Sequence, residues 1–470
     1  MLFNSVEFAI FLPLIFLLYW YVCGVNLKLQ NLLVLTASYV FYGWWDWRFL
    51  TLIVFSSFVD YWVGLAISKE VKTARKRWFL GCSLAVNLGM LGFFKYCNFF
   101  IDSLVAACAE LSIDLNVSTL QIILPVGISF YTFQTLSYSI DIYKGKLEPT
   151  KDLIAFLAFV SFFPQLVAGP IERASNLLPQ FLKGRVMTAR NLTIGSRLIV
   201  WGMFKKVCVA DNLALFVNKA FNSPDDYAGL VCIIATVFFA FQIYCDFSGY
   251  SDIAIGTARL FGFRLMTNFR TPYFSHSIRE FWGRWHISLS TWFRDYVYIP
   301  LGGSRVGLLK WQRNLILTFL VSGLWHGASW TFVVWGGIHG VVNSLETLNR
   351  KYSVLQLRIP PLNLLLTFAV VCLSWVFFRA ANVGEAFQFI QKMFVPTAAG
   401  ITNVVTPYQL LVMTGMLAAM LLFEIIPQFK FFKKHLWKKR SVRWSFYYFL
   451  ILSLFIFGRT NDTEFIYFQF

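Results

Sequence analysis

Apolar runs of close to twenty residues recur from one end of the chain to the other. They cover roughly 6–25, 30–47, 49–67, 78–100, 121–140, 153–169, 192–219, 228–245, 314–345, 361–378, 407–426 and 444–458. Some 20 apolar residues in a helix cross about 30 Å of hydrocarbon. Outer-membrane barrel strands alternate polar and apolar over about ten residues, and these runs do not. The pattern predicts an all-α, polytopic integral membrane protein, a helical bundle of about 11 spans with re-entrant and interfacial helices. Nothing marks off a soluble domain, an internal repeat or a low-complexity tract, so 1–470 reads as a single transmembrane domain.

Basic loops set the orientation. Lys69, Lys72, Arg75, Lys76 and Arg77 mark one cytoplasmic loop, and Lys430, Lys433, Lys434, Lys438, Lys439, Arg440 and Arg443 mark another. The stretches 101–119 and 221–227 carry acids without bases and 395–406 carries no charge, so these three face outward. Counting spans from the basic loops places both termini outside. One crossing by 314–345 would put Arg350, Lys351 and Arg358 outside and 395–406 inside, against the rule. A re-entrant pair of short helices carrying His326 restores it, and Gly323, Gly327, Gly336, Gly337 and Gly340 permit a tight reversal or close packing.

The stretch 246–313 is rich in arginine and broken by Gly and Pro, the longest weakly hydrophobic part of the chain. Within it, 277–296 fits one amphipathic helix lying in the membrane interface. Trp282, Trp285, Leu289, Trp292, Phe293 and Tyr296 share a face, while Arg279, Arg284 and Arg294 sit largely opposite. Glu280 and Arg284 are spaced to pair. His286 lies beside Trp282 and Leu289 on the apolar face.

Composition narrows the function. The chain is 58% hydrophobic and only 14% charged, against roughly 25% in a soluble domain. The net charge of +18 is largely topological in a multispanning protein, and no basic-aromatic module points to nucleic acid. The eight cysteines are scattered through apolar runs without zinc spacing and read as small buried hydrophobes. Residues 1–25 lack a basic n-region and a cleavage site and read as a first span.

Five histidines carry the candidate chemistry. His435 sits in a Lys/Arg loop, His276 could start a helix, and His339 is at most supporting. His326, in LVSGLWHGASW, is alone in a run free of ionisable groups from Asn314 to Ile338, where such a group is costly and is by default functional. No close-spaced ligand set suggests a metal, and phosphate-loop, dinucleotide and nucleophile-elbow motifs are absent. A histidine near its reference pKa of about 6.5 can take a proton from a hydroxyl. Acyl transfer from a thioester needs little more, because the thiolate leaves readily, and Arg284 and Arg294 would suit the phosphates of a coenzyme. Tyr298, Asp295 and Ser322 could add hydrogen bonds. A transporter is the rival class, but no inverted repeat supports it.

Long strings then resemble the membrane-bound O-acyltransferases. They are MLFNSVEFAIFLPLIF at the start, LPVGISFYTFQTLSYSIDIYKG at 124–145, FFPQLVAGPIER at 162–173 and CDFSGYSDIAIGTARLFGF at 245–263. NFRTPYFSHSIREFWGRWHISLSTWFRDYVYIPLGGSR at 268–305, SGLWHGASWTFVVWGGIHG at 322–340 and FIYFQF at the end complete the set. The resemblance implies an enzyme of the bacterial inner membrane with a catalytic core of about 121–345. It would move acetyl from a cytoplasmic thioester, acetyl-CoA, toward hydroxyls of an extracytoplasmic polysaccharide such as alginate. It implies no permanently bound cofactor and a separate extracytoplasmic partner acetyltransferase of the serine-hydrolase type. Related activities are peptidoglycan O-acetylation and teichoic-acid D-alanylation from a carrier-protein thioester. His326 matches the family's essential histidine in WHG. His286, in RWHISLS, matches its second histidine, which either orients the acceptor or polarises the thioester carbonyl.

Overall fold

The computed structural model describes residues 1–115, 117, 119–167, 169–352, 359–426, 438–459 and 465–466, and no strand occurs among them. The helices run α1 Val6–Leu17, α2 Leu27–Asp46, α3 Leu50–Lys69, α4 Thr73–Leu91, α5 Cys97–Glu110, α6 Ile128–Tyr143, α7 Leu153–Val160, α8 Phe163–Leu166, α9 Ala174–Phe181 and α10 Ala189–Met203. They continue as α11 Asp211–Asn222, α12 Leu230–Leu260, α13 Ile278–Arg284, α14 Ile287–Phe293, α15 Leu308–His326, α16 Trp330–Tyr352, α17 Pro360–Arg379, α18 Val383–Met393, α19 Ile401–Val404, α20 Pro407–Ile425 and α21 Arg440–Phe457. Among the described residues, five helical segments are long and apolar enough to cross a membrane: Leu27–Lys69, Thr73–Glu110, Leu230–Leu260, Pro360–Arg379 and Pro407–Ile425. Lys430, Lys433, Lys434, His435, Arg358 and most of the terminal FIYFQF lie outside the described residues.

Two compact units emerge, Met1–Ser196 with Ala254–Met266, and Arg197–Ile253 with Thr267–Phe470. In the first, Asp60 of α3 is fully buried. Its carboxylate accepts from Ser83 Oγ at 2.5 Å, Ser139 Oγ at 2.6 Å and Asn87 Nδ2 at 2.7 Å. Asn87 Oδ1 accepts in turn from Thr135 and Ser56. Neutral donors from α3, α4 and α6 thus satisfy one acid at depth and hold the three helices together.

Glu172, between α8 and α9, is 1% exposed. Its carboxylate accepts from the Met266 N–H and the Asn176 amide, both at 2.5 Å. Burial pushes this carboxyl up to about 7, against the pull of those donors and Arg173. A carboxyl raised above its unfolded value binds more protons folded than unfolded, so stability falls as pH rises from the ordinary carboxylate range through about 7. The detergent-solubilised chain should therefore melt at lower temperature as pH rises across that window, and Glu172→Gln should flatten the dependence. An unchanged slope in Glu172→Gln would assign the dependence to other groups.

The second unit corrects several sequence readings. The span expected at 228–245 continues as α12 through Leu260, so the first part of 246–313 is helix. Its acids persist inside the fold because lysines meet them. Lys206 Nζ lies 2.8 Å from Asp211 and 2.7 Å from Asp246, and Lys205 Nζ lies 2.7 Å from Asp252 and 2.9 Å from Ser248 Oγ. The α10 and α12 backbones approach closely here, since a Cβ on Gly202 would fall 2.5 Å from the Gly249 carbonyl oxygen.

The single helix expected at 277–296 is broken. α13 ends at Arg284, His286 takes a left-handed conformation (φ 41°, ψ 54°), and α14 begins at Ile287. The cause is competition for the ladder: the Ile287 N–H donates to the Asn268 carbonyl at 2.9 Å instead of an intrahelical one. Trp282, Trp285, Leu289, Trp292 and Phe293 are all buried in protein, not offered to a membrane surface.

The glycine-rich run is a helical hairpin as expected, but its helices are long, 19 residues in α15 and 23 in α16. Good helix formers in LLKWQRN and ETLNRK extend both beyond the apolar run. A Cβ on Gly323 would fall 2.2 Å from the Phe332 carbonyl oxygen, and one on Gly336 2.4 Å from that of Phe319. These two glycines let the backbones touch.

Three other boundaries move. Pro125 and Gly127 (φ 76°) delay the helix expected from 121 to Ile128. The run 153–169 divides into α7 and α8, of eight and four residues. The loop expected at 101–119 is helical through Glu110.

Candidate functional site

His326 is the last residue of α15, 2% exposed, at the turn of the hairpin. Its ring centroid lies 5.0 Å from those of Trp325 and Trp335 and 5.6 Å from Phe378. Behind this wall, Trp335 and Trp375 stack at 5.6 Å. His286, fully buried, comes to 6.4 Å from His326 between ring centroids, with Phe247 edge-on at 4.6 Å. The break between α13 and α14 is what turns this imidazole to the hairpin.

The buried His339 is differently placed. Its Nδ1 accepts from Trp282 Nε1–H at 3.3 Å, so its proton sits on Nε2, 3.0 Å from Ser374 Oγ, which donates to the Val371 carbonyl. Both ring nitrogens are used in joining α13, α16 and α17, which makes His339 a brace. His276 is exposed, with Nδ1 3.0 Å from the Pro360 carbonyl oxygen.

A cavity of about 530 Å³ is lined by residues close in sequence to the two histidines, though by neither histidine itself. Ser322, one turn before His326, and Leu289 and Ser290, just after His286, form part of its wall. Arg279, Arg294 and Arg350 line it too and are exposed, marking its open side. Its size suits a small-molecule site with an apolar lining and a few fixed polar groups. Arg294 donates to Asp295 at 2.7 Å. Arg284 is not part of the lining; it donates to Glu280 at 2.6 Å, the pairing its spacing predicts. Tyr298 lines the cavity.

Arg279 and Arg350 escaped sequence reasoning because only folding brings α13 and α16 together. Glu346 makes that junction, accepting from the N–H groups of Ile278 at 2.7 Å and Arg279 at 3.2 Å. The Lys205 and Lys206 pairings were missed as well, although two adjacent lysines inside an apolar run are a legible signal of buried acids elsewhere.

The model of the MBOAT, membrane-bound O-acyltransferase family, matches residues 149–356. A probable alginate O-acetylase of Azotobacter vinelandii is 44% identical over 84% of this chain and 78% of its own length. The peptidoglycan O-acetyltransferase of Helicobacter pylori is 38% identical, covering 84% and 80%. The teichoic acid D-alanyltransferase of Bacillus subtilis is 29% identical over 54% of this chain and 68% of its own length. With its buried histidine pair and apolar helices, the chain is a multi-pass O-acyltransferase and belongs to the membrane-bound O-acyltransferase family.

Proposed function

We propose that this chain is a membrane O-acetyltransferase that takes acetyl from a cytoplasmic thioester, acetyl-CoA, and passes it toward hydroxyls of an extracytoplasmic polysaccharide of the alginate type. The observation that carries the reading is a pair of buried imidazoles whose ring centroids lie 6.4 Å apart, with an arginine-lined cavity that reaches their chain neighbours Leu289 and Ser322. His326 takes the proton of the attacking hydroxyl, whose oxygen bonds to the thioester carbonyl carbon. The carbon–sulfur bond then breaks, and the thiolate leaves and is protonated. Arg279, Arg294 and Arg350 hold the phosphates of the donor; we prefer Arg279 and Arg350 to Arg284, whose guanidinium is engaged by Glu280. The carbohydrate is reached through a separate extracytoplasmic acetyltransferase of the serine-hydrolase type, and no cofactor stays bound.

In this reading the whole chain is one transferase domain of the bacterial inner membrane, with its core at 121–345 and about 11 crossings. The α15–α16 hairpin enters and leaves on one side, which keeps basic loops inside and both termini outside. The similarity over 84% of the chain to a peptidoglycan O-acetyltransferase supports peptidoglycan as the alternative acceptor.

Charge-assisted hydrogen bonds are worth about 1.5–3 kcal/mol. Arg279→Gln and Arg350→Gln should therefore each raise the KM for acetyl-CoA roughly tenfold or more with kcat nearly constant. Steady-state kinetics in lipid vesicles check this. Unchanged KM values in both variants would remove the arginines from donor binding, and turnover only with a carrier-protein thioester would replace coenzyme A as donor.

A further inference from the structure

Asn268 makes a hydrogen-bond contact to His286, 3.1 Å to Nδ1, with Ser288 Oγ 3.4 Å from the same nitrogen. Asn268, itself fully buried, reaches the 286–288 turn with both backbone and side chain. Its carbonyl accepts the Ile287 N–H at 2.9 Å. Its side-chain Oδ1 lies 3.1 Å from His286 Nδ1, 2.9 Å from Ser288 Oγ and 3.4 Å from the Ser288 N–H. Its Nδ2 donates to Ser251 Oγ at 3.1 Å. A backbone N–H can only donate, so the amide atom facing Ser288 is the oxygen. That oxygen can only accept, so the His286 nitrogen facing it carries the proton. Neutral His286 then keeps its lone pair on Nε2. The opposite tautomer, with Nε2–H, is the one His339 uses as a brace.

We propose that Asn268 is a positioning residue that locks His286 in the Nδ1–H tautomer, so that His286 meets substrate as a hydrogen-bond acceptor through Nε2. This rests on the reading of His286 as part of the transfer site and chooses between its two roles. A neutral imidazole with a lone pair on Nε2 cannot donate to a thioester carbonyl. It holds an O–H or N–H of a substrate, and since His326 takes the proton of the attacking hydroxyl, the group held is a second one: a neighbouring hydroxyl of the acceptor or an amide N–H of the donor. The strained left-handed backbone at His286 fits this task, because it is maintained by the Asn268 contacts and aims the ring.

The test is ¹⁵N spectroscopy of histidine-labelled protein in bilayers, the His286 signals being identified by their loss in His286→Gln. The parent should show a protonated Nδ1 and a bare Nε2, and Asn268→Asp, which keeps the acceptor oxygen, should keep Nδ1 protonated. Asn268→Leu should populate the Nε2–H form and lower kcat by up to about 10²-fold, the cost of misplacing a catalytic group by about 1 Å. Kinetics of the same variant separate the two sources: a raised KM for acetyl-CoA points to the donor amide, and one confined to the acceptor points to a hydroxyl. A proton on Nε2 in the parent, or a bare Nδ1 in a folded Asn268→Asp protein, overturns the proposal. So does Asn268→Leu with an unaltered tautomer. The tautomer needs no turnover, so a parent that failed to use acetyl-CoA would count against the donor assignment and leave this inference standing or falling on the spectra.

Discussion

Replacing His326 by glutamine should lower polysaccharide acetylation by at least about a hundredfold while the chain accumulates normally in the membrane. General base catalysis contributes roughly 10² to 10⁴ in rate, and glutamine supplies volume and hydrogen bonds without a base. Trp325, Trp335 and Phe378, which pack on His326, are not bases near neutral pH, and the other imidazole near it is His286, at 6.4 Å between ring centroids. Ester content of the polymer, normalised to protein in the membrane fraction, measures the effect. Full acetylation in a folded His326→Gln chain would transfer the role to His286, the other imidazole at the site.

The second large effect concerns folding. Lys206→Met should prevent accumulation of the folded chain, because it leaves Asp211 and Asp246 without the ammonium that lies within 2.8 Å of both. Removing one partner of a buried ion pair costs about 3–5 kcal/mol, a large part of a typical stability of roughly 5–15 kcal/mol. The effect should reverse in part when both carboxylates are also neutralised, in Lys206→Met with Asp211→Asn and Asp246→Asn, which removes the uncompensated charge. Fluorescence-detected gel filtration and thermal melting in detergent compare the variants. A Lys206→Met chain as stable as the parent would mean that the pairing contributes nothing net.

Much of this was legible in the apolar pattern alone. The helical class follows from run length, and the α15–α16 reversal follows from the charge of loops that lie far from it in sequence. His326 stood out because a lone ionisable group in a long apolar run is expensive. Other features could not be read. The break at His286 depends on Asn268, 18 residues away, which no helical periodicity reveals. The end of α12 reads with the arginine-rich, Gly- and Pro-broken stretch that follows it, and the pattern alone does not show that Lys205 and Lys206 meet its Asp252 and Asp246 in the fold. Arg284 and Arg294 lie on one stretch of sequence, but the cavity takes Arg294 and not Arg284, which pairs with Glu280 one turn away, and Arg350 joins it from α16. Periodicity reports which residues share a helix face, and sites assembled from several helices lie beyond it.

The most direct test of the central claim follows label from acetyl-CoA through the purified chain in lipid vesicles, with the parent compared to His326→Ala. Cleavage of the thioester by the parent, lost in His326→Ala and increased by an extracytoplasmic serine-hydrolase-type acetyltransferase, is the predicted result. Cleavage at the parent's rate in a folded His326→Ala protein would contradict it.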